Sequence, residues 1–180
     1  MTLVKGPDVI VDEAERSGVP GLLARETSWP RRPLGDFCSI QNGAPFKSSM
    51  FNRDGEGTPL IRIRDVGTNS TSTYFSGDFD DDFIVQPGDL LVGMDGDFRV
   101  SRWQGPEALL NQRVCRLIVN QEVLLDELLE LILQGYLDAI WRETSSTTVK
   151  HLSSRSILEI PLPIPPLEEQ ERIVEILGDQ

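Results

Sequence analysis

Hydrophobic and polar positions alternate with two different periods along this chain, and the change of period divides it. Between Trp29 and Val119 the apolar runs are short and bounded by turn residues, which is the texture of strands. Pro59-Leu60-Ile61-Arg62-Ile63-Arg64 alternates at period two and predicts a half-buried strand, with Arg62 and Arg64 on one face and Leu60, Ile61 and Ile63 toward the core. Phe37–Ile40, Thr73–Phe75 and Gln112–Val119 also read as strands. Leu90-Leu91-Val92-Gly93-Met94 is apolar throughout and suits a central strand, and Asp95-Gly96-Asp97 turns it tightly into Phe98–Trp103. Beyond Val119 the period lengthens. Leu125, Leu128, Leu129, Ile132, Tyr136 and Ile140 predict a helix over 124–143, with Glu127, Glu130, Gln134 and Asp138 opposite. Shorter helices are expected over 8–16 and 154–158. The prolines of 159–166 force extended backbone, and a further helix starts at Leu167, with Glu168 and Glu169 in its first turn.

Composition narrows the possibilities. The chain has 180 residues, enough for one core, and no apolar run approaches the roughly 20 residues needed to span a bilayer. Two cysteines and one histidine exclude a disulfide framework and a Cys/His zinc cluster. The N-terminus has neither the basic start nor the apolar stretch of a signal peptide, so a cytoplasmic location is expected. Asp78, Asp80, Asp81 and Asp82 lack the acid–glycine spacing and closing glutamate of a calcium loop and read as a solvated acidic turn.

The net charge of −12 argues against nucleic acid, but the charge is unevenly distributed. Residues 117–180 hold 4 basic against 12 acidic side chains, whereas 31–116 hold 10 against 12. The basic residues of the middle are nearly all arginine, whose planar fork suits guanine edges and phosphates; on composition alone they serve equally as ordinary surface charges. Signs of catalysis are missing. The one Pro-Pro is Ile164-Pro165-Pro166-Leu167, which is not an adenine-methyltransferase strand end. None of Lys5, Lys47 and Lys150 sits in a nuclease metal motif, and His151 has no nucleophile turn to serve.

Four stretches, taken in order, resemble the specificity subunit of type I restriction–modification systems. They are Trp29 with Pro33–Ile40 and Asn42-Gly43; Pro59–Val66; Pro87–Gly96 with Leu110-Asn111-Gln112-Arg113-Val114; and Thr148–Ser153 with Ile160–Pro163 and Pro165–Gln170. The resemblance covers Trp29 to Leu177. It implies an α+β fold, a small twisted mixed or antiparallel sheet or partial barrel with flanking helices, and a C-terminal helix that begins a spacer. Its domains would be a target recognition domain over 29–164 and the start of a spacer helix over 165–180, leaving 1–28 as an appendage of unknown role. The family carries two such domains and two long helices; this chain has one domain, so it reads as a half-subunit, a truncated form or part of a larger protein. The implied role is to read one half of a bipartite DNA target without catalysis or cofactor of its own. The implied partners are double-stranded DNA, an adenine-N6 methyltransferase subunit and a restriction or motor subunit, with self-association through the C-terminal helix. The alternative is a protein-interaction module of the same fold that no longer reads DNA.

A recognition domain holds polar side chains on loops at the height of the base edges. Lys47, Arg53, Arg99, Arg102, Lys150 and Arg155 are the candidate phosphate or base contacts, and Ser48, Asn69, Ser101, Gln104 and His151 the candidate hydrogen-bonding groups. Asp95 and Asp97 are placed to orient arginines or accept from cytosine N4, while Asn111 and Gln112 belong to the resemblance and brace the scaffold equally well.

Overall fold

The computed structural model describes residues 5–19, 22, 28–144 and 151–178. In chain order the elements are α1 (Pro7–Arg16), β1 (Arg31–Pro33), β2 (Cys38–Asn42), β3 (Phe51–Asn52), β4 (Thr58–Ile61), β5 (Tyr74–Phe75), β6 (Ile84–Val85), β7 (Leu90–Gly93), β8 (Val100–Arg102), β9 (Ala108–Leu110), β10 (Val114–Val119), α2 (Asp126–Glu143), α3 (Ser154–Leu158), β11 (Pro161–Pro163) and α4 (Leu167–Gly178). They form an α+β fold, as expected.

The run Leu90–Gly93 is buried along its whole length because apolar layers meet both its faces. It lies inside a four-stranded sheet of order β2-β10-β7-β8, antiparallel throughout. Leu90 and Val92 enter the largest hydrophobic cluster, with Leu128, Ile132, Tyr136 and Ile140 of α2, whereas Leu91 enters a second cluster with Ile61, Trp103, Leu110 and Val114. A five-stranded sheet of order β3-β5-β4-β9-β6 covers that second cluster, and only its β4–β9 pair is parallel. Leu60, Phe75 and Leu109 form a third cluster with Phe46, Phe51, Phe79 and Ile84. The layers thus run from helices to first sheet, second sheet and an aromatic outer layer. Period-two alternation in β4 and β9 splits neighbouring residues between the second and third clusters.

Several expectations are corrected. The strand expected over 59–64 stops at Ile61, because the Asp65 carboxylate accepts from Arg62 N at 2.8 Å and draws Ile63–Asp65 into a 3-10 turn. Arg62 and Arg64 therefore do not share a strand face. Helix α2 forms where expected, but Glu130 and Gln134 face β8 rather than solvent, accepting from the backbone N–H of Arg102 (3.3 Å) and Val100 (2.9 Å). Helix α1, within the 1–28 appendage, is packed on α2 and adds Ile10 and Val11 to the main cluster. Gln170 is the one buried residue of α4 among those described. Its side chain accepts from Leu125 N at 2.8 Å and donates to the carbonyls of Val123 (2.8 Å) and Pro165 (2.9 Å).

Both cysteines are free and buried. Burial pushes the Cys38 thiol up to about 11, against a backbone hydrogen bond from Ile118, and the Cys115 thiol up to about 12. Neither forms thiolate near neutrality. A maleimide probe at pH 8 is expected to label both only when denaturant is present, and fast labelling of the native protein would contradict this packing.

Candidate nucleic-acid interface

Strand polarity gathers loops at one end of the two sheets. Because β10 is antiparallel to both β2 and β7, the ends at Asn42 and Gly93 lie beside its start at Val114. Strand β9, parallel to β4, runs through Asn111-Gln112-Arg113 into β10. Backbone bonds stitch these ends together: Gly43 N to Val114 O (3.0 Å), Ala44 N to Leu110 O (3.0 Å), Gln112 N to Ala44 O (2.8 Å) and Met94 N to Arg113 O (2.8 Å). The returning chain joins them through Leu152 N to Met94 O at 2.7 Å.

Here the Asp95 carboxylate receives His151 Nδ1 at 2.5 Å and the Arg113 guanidinium at 3.3 Å, and Ser154 Oγ donates to the Asn42 amide oxygen. Across the β7–β8 hairpin, Asp97 pairs with Arg99 at 2.9 Å, both side chains being more than half exposed. The loop after β4 runs beside β8. Gly67 lies against the Arg99 stem, and the Asn69 side chain accepts from Gln104 N at 3.1 Å. An open cleft of about 490 Å³ between hairpin and helix is lined by Gly67, Arg99, Ser101, Gln134 and Asp138. Three described non-glycine residues have left-handed backbone, Asn69 (φ 56°), Phe98 (φ 48°) and Arg113 (φ 73°), and each lies in one of these loops. Such conformations cost of order 1–2 kcal/mol for side chains other than asparagine and are kept where the surroundings enforce them.

The expected contact residues divide by position. Arg99 and His151 stand at the loop end, and Asn69, Ser101 and Gln104 lie along the neighbouring edge. Lys47, Ser48 and Arg53 are exposed and sit apart, on the segment that leads into and out of edge strand β3. Neither Lys47 nor Arg53 forms an ion pair with a described residue. Lys150 lies outside the described residues. Arg155, in the first turn of α3, is paired with Glu159 at 2.8 Å.

Arg102 is corrected most sharply. It lies at the other end of β8, where Nε donates to Glu130 at 2.8 Å and Nη1 to Gly88 O at 2.9 Å and Asp126 at 3.2 Å. Burial opposes both charges of the Arg102–Asp126 pair. Their mutual hydrogen bonds prevail, raising the guanidinium and, with help from Glu127, holding the Asp126 carboxyl below the usual carboxylate range. Arg116 is similarly consumed, by Asp89 at 2.8 Å, the Gln41 side chain and the carbonyls of Ile84 and Asp82. Arg102→Ala should cost about 2 kcal/mol, roughly 5 °C of Tm. A depressed carboxyl stabilises the fold above its unfolded pKa and loses that contribution as pH falls through its folded value. The gap between wild type and variant should therefore narrow below about pH 4, and a Tm equal to wild type at pH 7 would refute the assignment.

Arg113 and Asn42 were not among the expected contacts. Their one signal was membership of the stretches that carry the family resemblance, since neither the turn at Arg113 nor its meeting with His151 has a local sequence pattern. Among the described residues no group of three His, Cys, Asp or Glu side chains is placed to hold a metal, and no helix is long and apolar enough to cross a membrane.

Comparison with known proteins supplies the family. The model of the type I restriction modification DNA specificity domain matches residues 26–179. The EcoBI specificity subunit of Escherichia coli is 48% identical over 165 residues, covering 92% of this chain and 35% of its own length. The MjaVIII specificity subunit of Methanocaldococcus jannaschii is 26% identical, with coverage of 84% and 35%. The chain thus spans about a third of each curated relative. Among solved structures, a chain from work on assembly and conformational transition of the type I R-M system superposes with TM-score 0.67 at 21% identity, covering 95% of this chain and 44% of that one. The HsdS subunit from Thermoanaerobacter tengcongensis follows with TM-score 0.61 at 22% identity, covering 95% and 42%. These structures support the fold, and the family match is independent of them: the chain belongs to the type I restriction modification DNA specificity domain family.

Proposed function

We propose that this chain reads one half of a bipartite DNA target and directs an adenine-N6 methyltransferase to it, with no catalysis of its own. One observation carries the reading: strand polarity collects the exposed Arg99 and Arg113 and the left-handed turns at Phe98 and Arg113 at a single end of the two-sheet scaffold. Loops held this way suit base readout, which needs polar groups fixed to within a fraction of an ångström. The net charge of −12 gives the isolated chain little attraction for DNA, so useful affinity belongs to the assembly with the methyltransferase and a restriction or motor subunit. The α4 helix, with Ile176 and Leu177 exposed, is the element available for self-association in that assembly.

The acidity favours a second reading, an interaction module of the same fold that no longer touches DNA. Single-molecule mapping of adenine methylation, in cells carrying the protein with its methyltransferase, separates the two. A methylated motif that disappears when the protein is deleted is the expected result. A stable complex with no motif dependent on the protein would select the interaction module.

A further inference from the structure

Two kinds of arginine occupy the β7–β8 hairpin. At its base Arg102 spends its donors on the fold. At its tip Arg99 engages one partner among the described residues, donating from Nη2 to Asp97 Oδ2, and its side chain is more than half exposed with the other donors of its five-donor fork unengaged there. We propose that this tip is a preorganised reader of a G·C base pair, with Arg99 donating to guanine O6 and N7 while Asp97 fixes the fork and accepts from the N4 amine of the paired cytosine. The proposal rests on the DNA-reading function above and names the element that would carry specificity.

The tip is rigid for identifiable reasons. Phe98, between the two charged residues, is fully buried in the main hydrophobic cluster despite its left-handed backbone. That anchor leaves Asp97 and Arg99 outside, on either side of it. Helix α2 grips the backbone around them: Gln134 accepts from Val100 N at 2.9 Å and donates to Phe98 O at 3.4 Å, holding both flanks of Arg99. Asp138 accepts from the same Gln134 amide at 2.8 Å, and Trp141 Nε1 donates to Gly96 O at 2.7 Å. Gly67 completes the seat, since a Cβ there would come within 2.8 Å of Arg99 Cδ.

Chemistry favours a base over a phosphate at this position. A phosphate contact needs only a cation, and a carboxylate 2.9 Å from the guanidinium would repel the phosphate it sought. A guanine edge presents two acceptors in one plane, the counterpart of a fork held at fixed angle. The carboxylate then meets the one amine that the same base pair offers in the major groove. The exposed Lys47 and Arg53, with no ion pair to a described residue, have the character of phosphate contacts instead.

The test uses the assembled complex with its methyltransferase on a pool of duplexes carrying randomised targets, comparing wild type with Arg99→Ala, Arg99→Lys and Asp97→Asn by methylation mapping and by binding across a salt series. Arg99→Ala is expected to cut discrimination about ten-fold or more at one G·C position, leaving the other positions and the salt slope intact. Arg99→Lys should not restore it, because an ammonium lacks the fork. Asp97→Asn should relax the same position and no other. An even loss across all positions with a shallower salt slope would identify a phosphate contact and overturn the proposal, as would an unchanged motif. A wild-type complex that methylates no defined motif would overturn the DNA-reading function itself, a result distinct from either. Because Arg99 is exposed, an unaltered melting temperature confirms that each Arg99 variant is folded.

Discussion

Gln170→Ala should lower stability by about 3 kcal/mol, or roughly 9 °C of Tm, a large effect for a residue with no charge and no catalytic chemistry. The wild-type amide is fully buried and satisfies three backbone groups, Leu125 N–H and the carbonyls of Val123 and Pro165. Alanine leaves all three without that partner where α4 meets the segment leading into α2. Each abandoned buried group costs of order 1 kcal/mol even where water partly replaces the side chain. Local damage should go further than the Tm indicates, since Ile173 and Val174 on α4 are only partly buried and cannot hold the helix alone. Hydrogen exchange should therefore accelerate in α4 before the rest of the chain. Gln170→Glu is the sharper control. It keeps the shape but turns the donating amide into a carboxylate facing two carbonyls, so it should be unstable at pH 7 and recover in acid, where protonation restores a donor. Uniform exchange behaviour and an unchanged Tm in both variants would show that α4 is held by something else.

Gly43→Ala should be at least as severe, above about 3 kcal/mol, and should abolish target-dependent methylation with it. A Cβ at Gly43 would stand 2.1 Å from Asn111 O and 2.6 Å from Leu110 O. Both are backbone atoms, so no rotamer change relieves the collision. Relief requires the chain after β2 to move away from β9, which breaks the bond from Ala44 N to Leu110 O that joins the two sheets and strains the neighbouring bond from Gly43 N to Val114 O between β2 and β10. Native-like melting and methylation in this variant would mean that the joint is softer than its geometry implies. Gly178, with open space where its Cβ would go and no left-handed backbone, supplies the matched glycine-to-alanine comparison for the crowding at Gly43.

Elements whose period is carried by their own residues were legible in the sequence. The buried run of β7, the alternation of β10, the apolar stripe of α2 and the proline-led start of α4 all appear where pattern placed them. What escaped depends on partners distant in the chain. Strand β9 is three residues long and exists because β4 lies parallel beside it. Strands β1 and β11 carry Pro33, Pro161 and Pro163, which read as extended chain without announcing a mate. The same physics governs the site. Asp95-Gly96-Asp97 was recognisable as a tight turn, and Arg99 follows it just before β8, which begins at Val100 rather than Phe98. Arg102, three residues on, carried no local sign that Asp126 and Glu130 would claim it, and Arg113 none that its backbone would turn left-handed beside Asp95 and His151.

The pairing of β1 with β11 has a consequence for how such a unit can be exchanged. Arg31 is opposite Pro163 and Pro33 opposite Pro161, so the chain enters and leaves the two-sheet body through neighbouring positions on one short ribbon. A segment with adjacent ends behaves as a cassette: its internal loops can change without moving the flanking chain, provided the α2 surface and the 123–125 turn that meet α1 and α4 are kept. Under the proposed function, exchange of the loops between those ends would change the DNA preference in one event. The face of α2 that meets α1 and α4 would stay constant while those loops diverge.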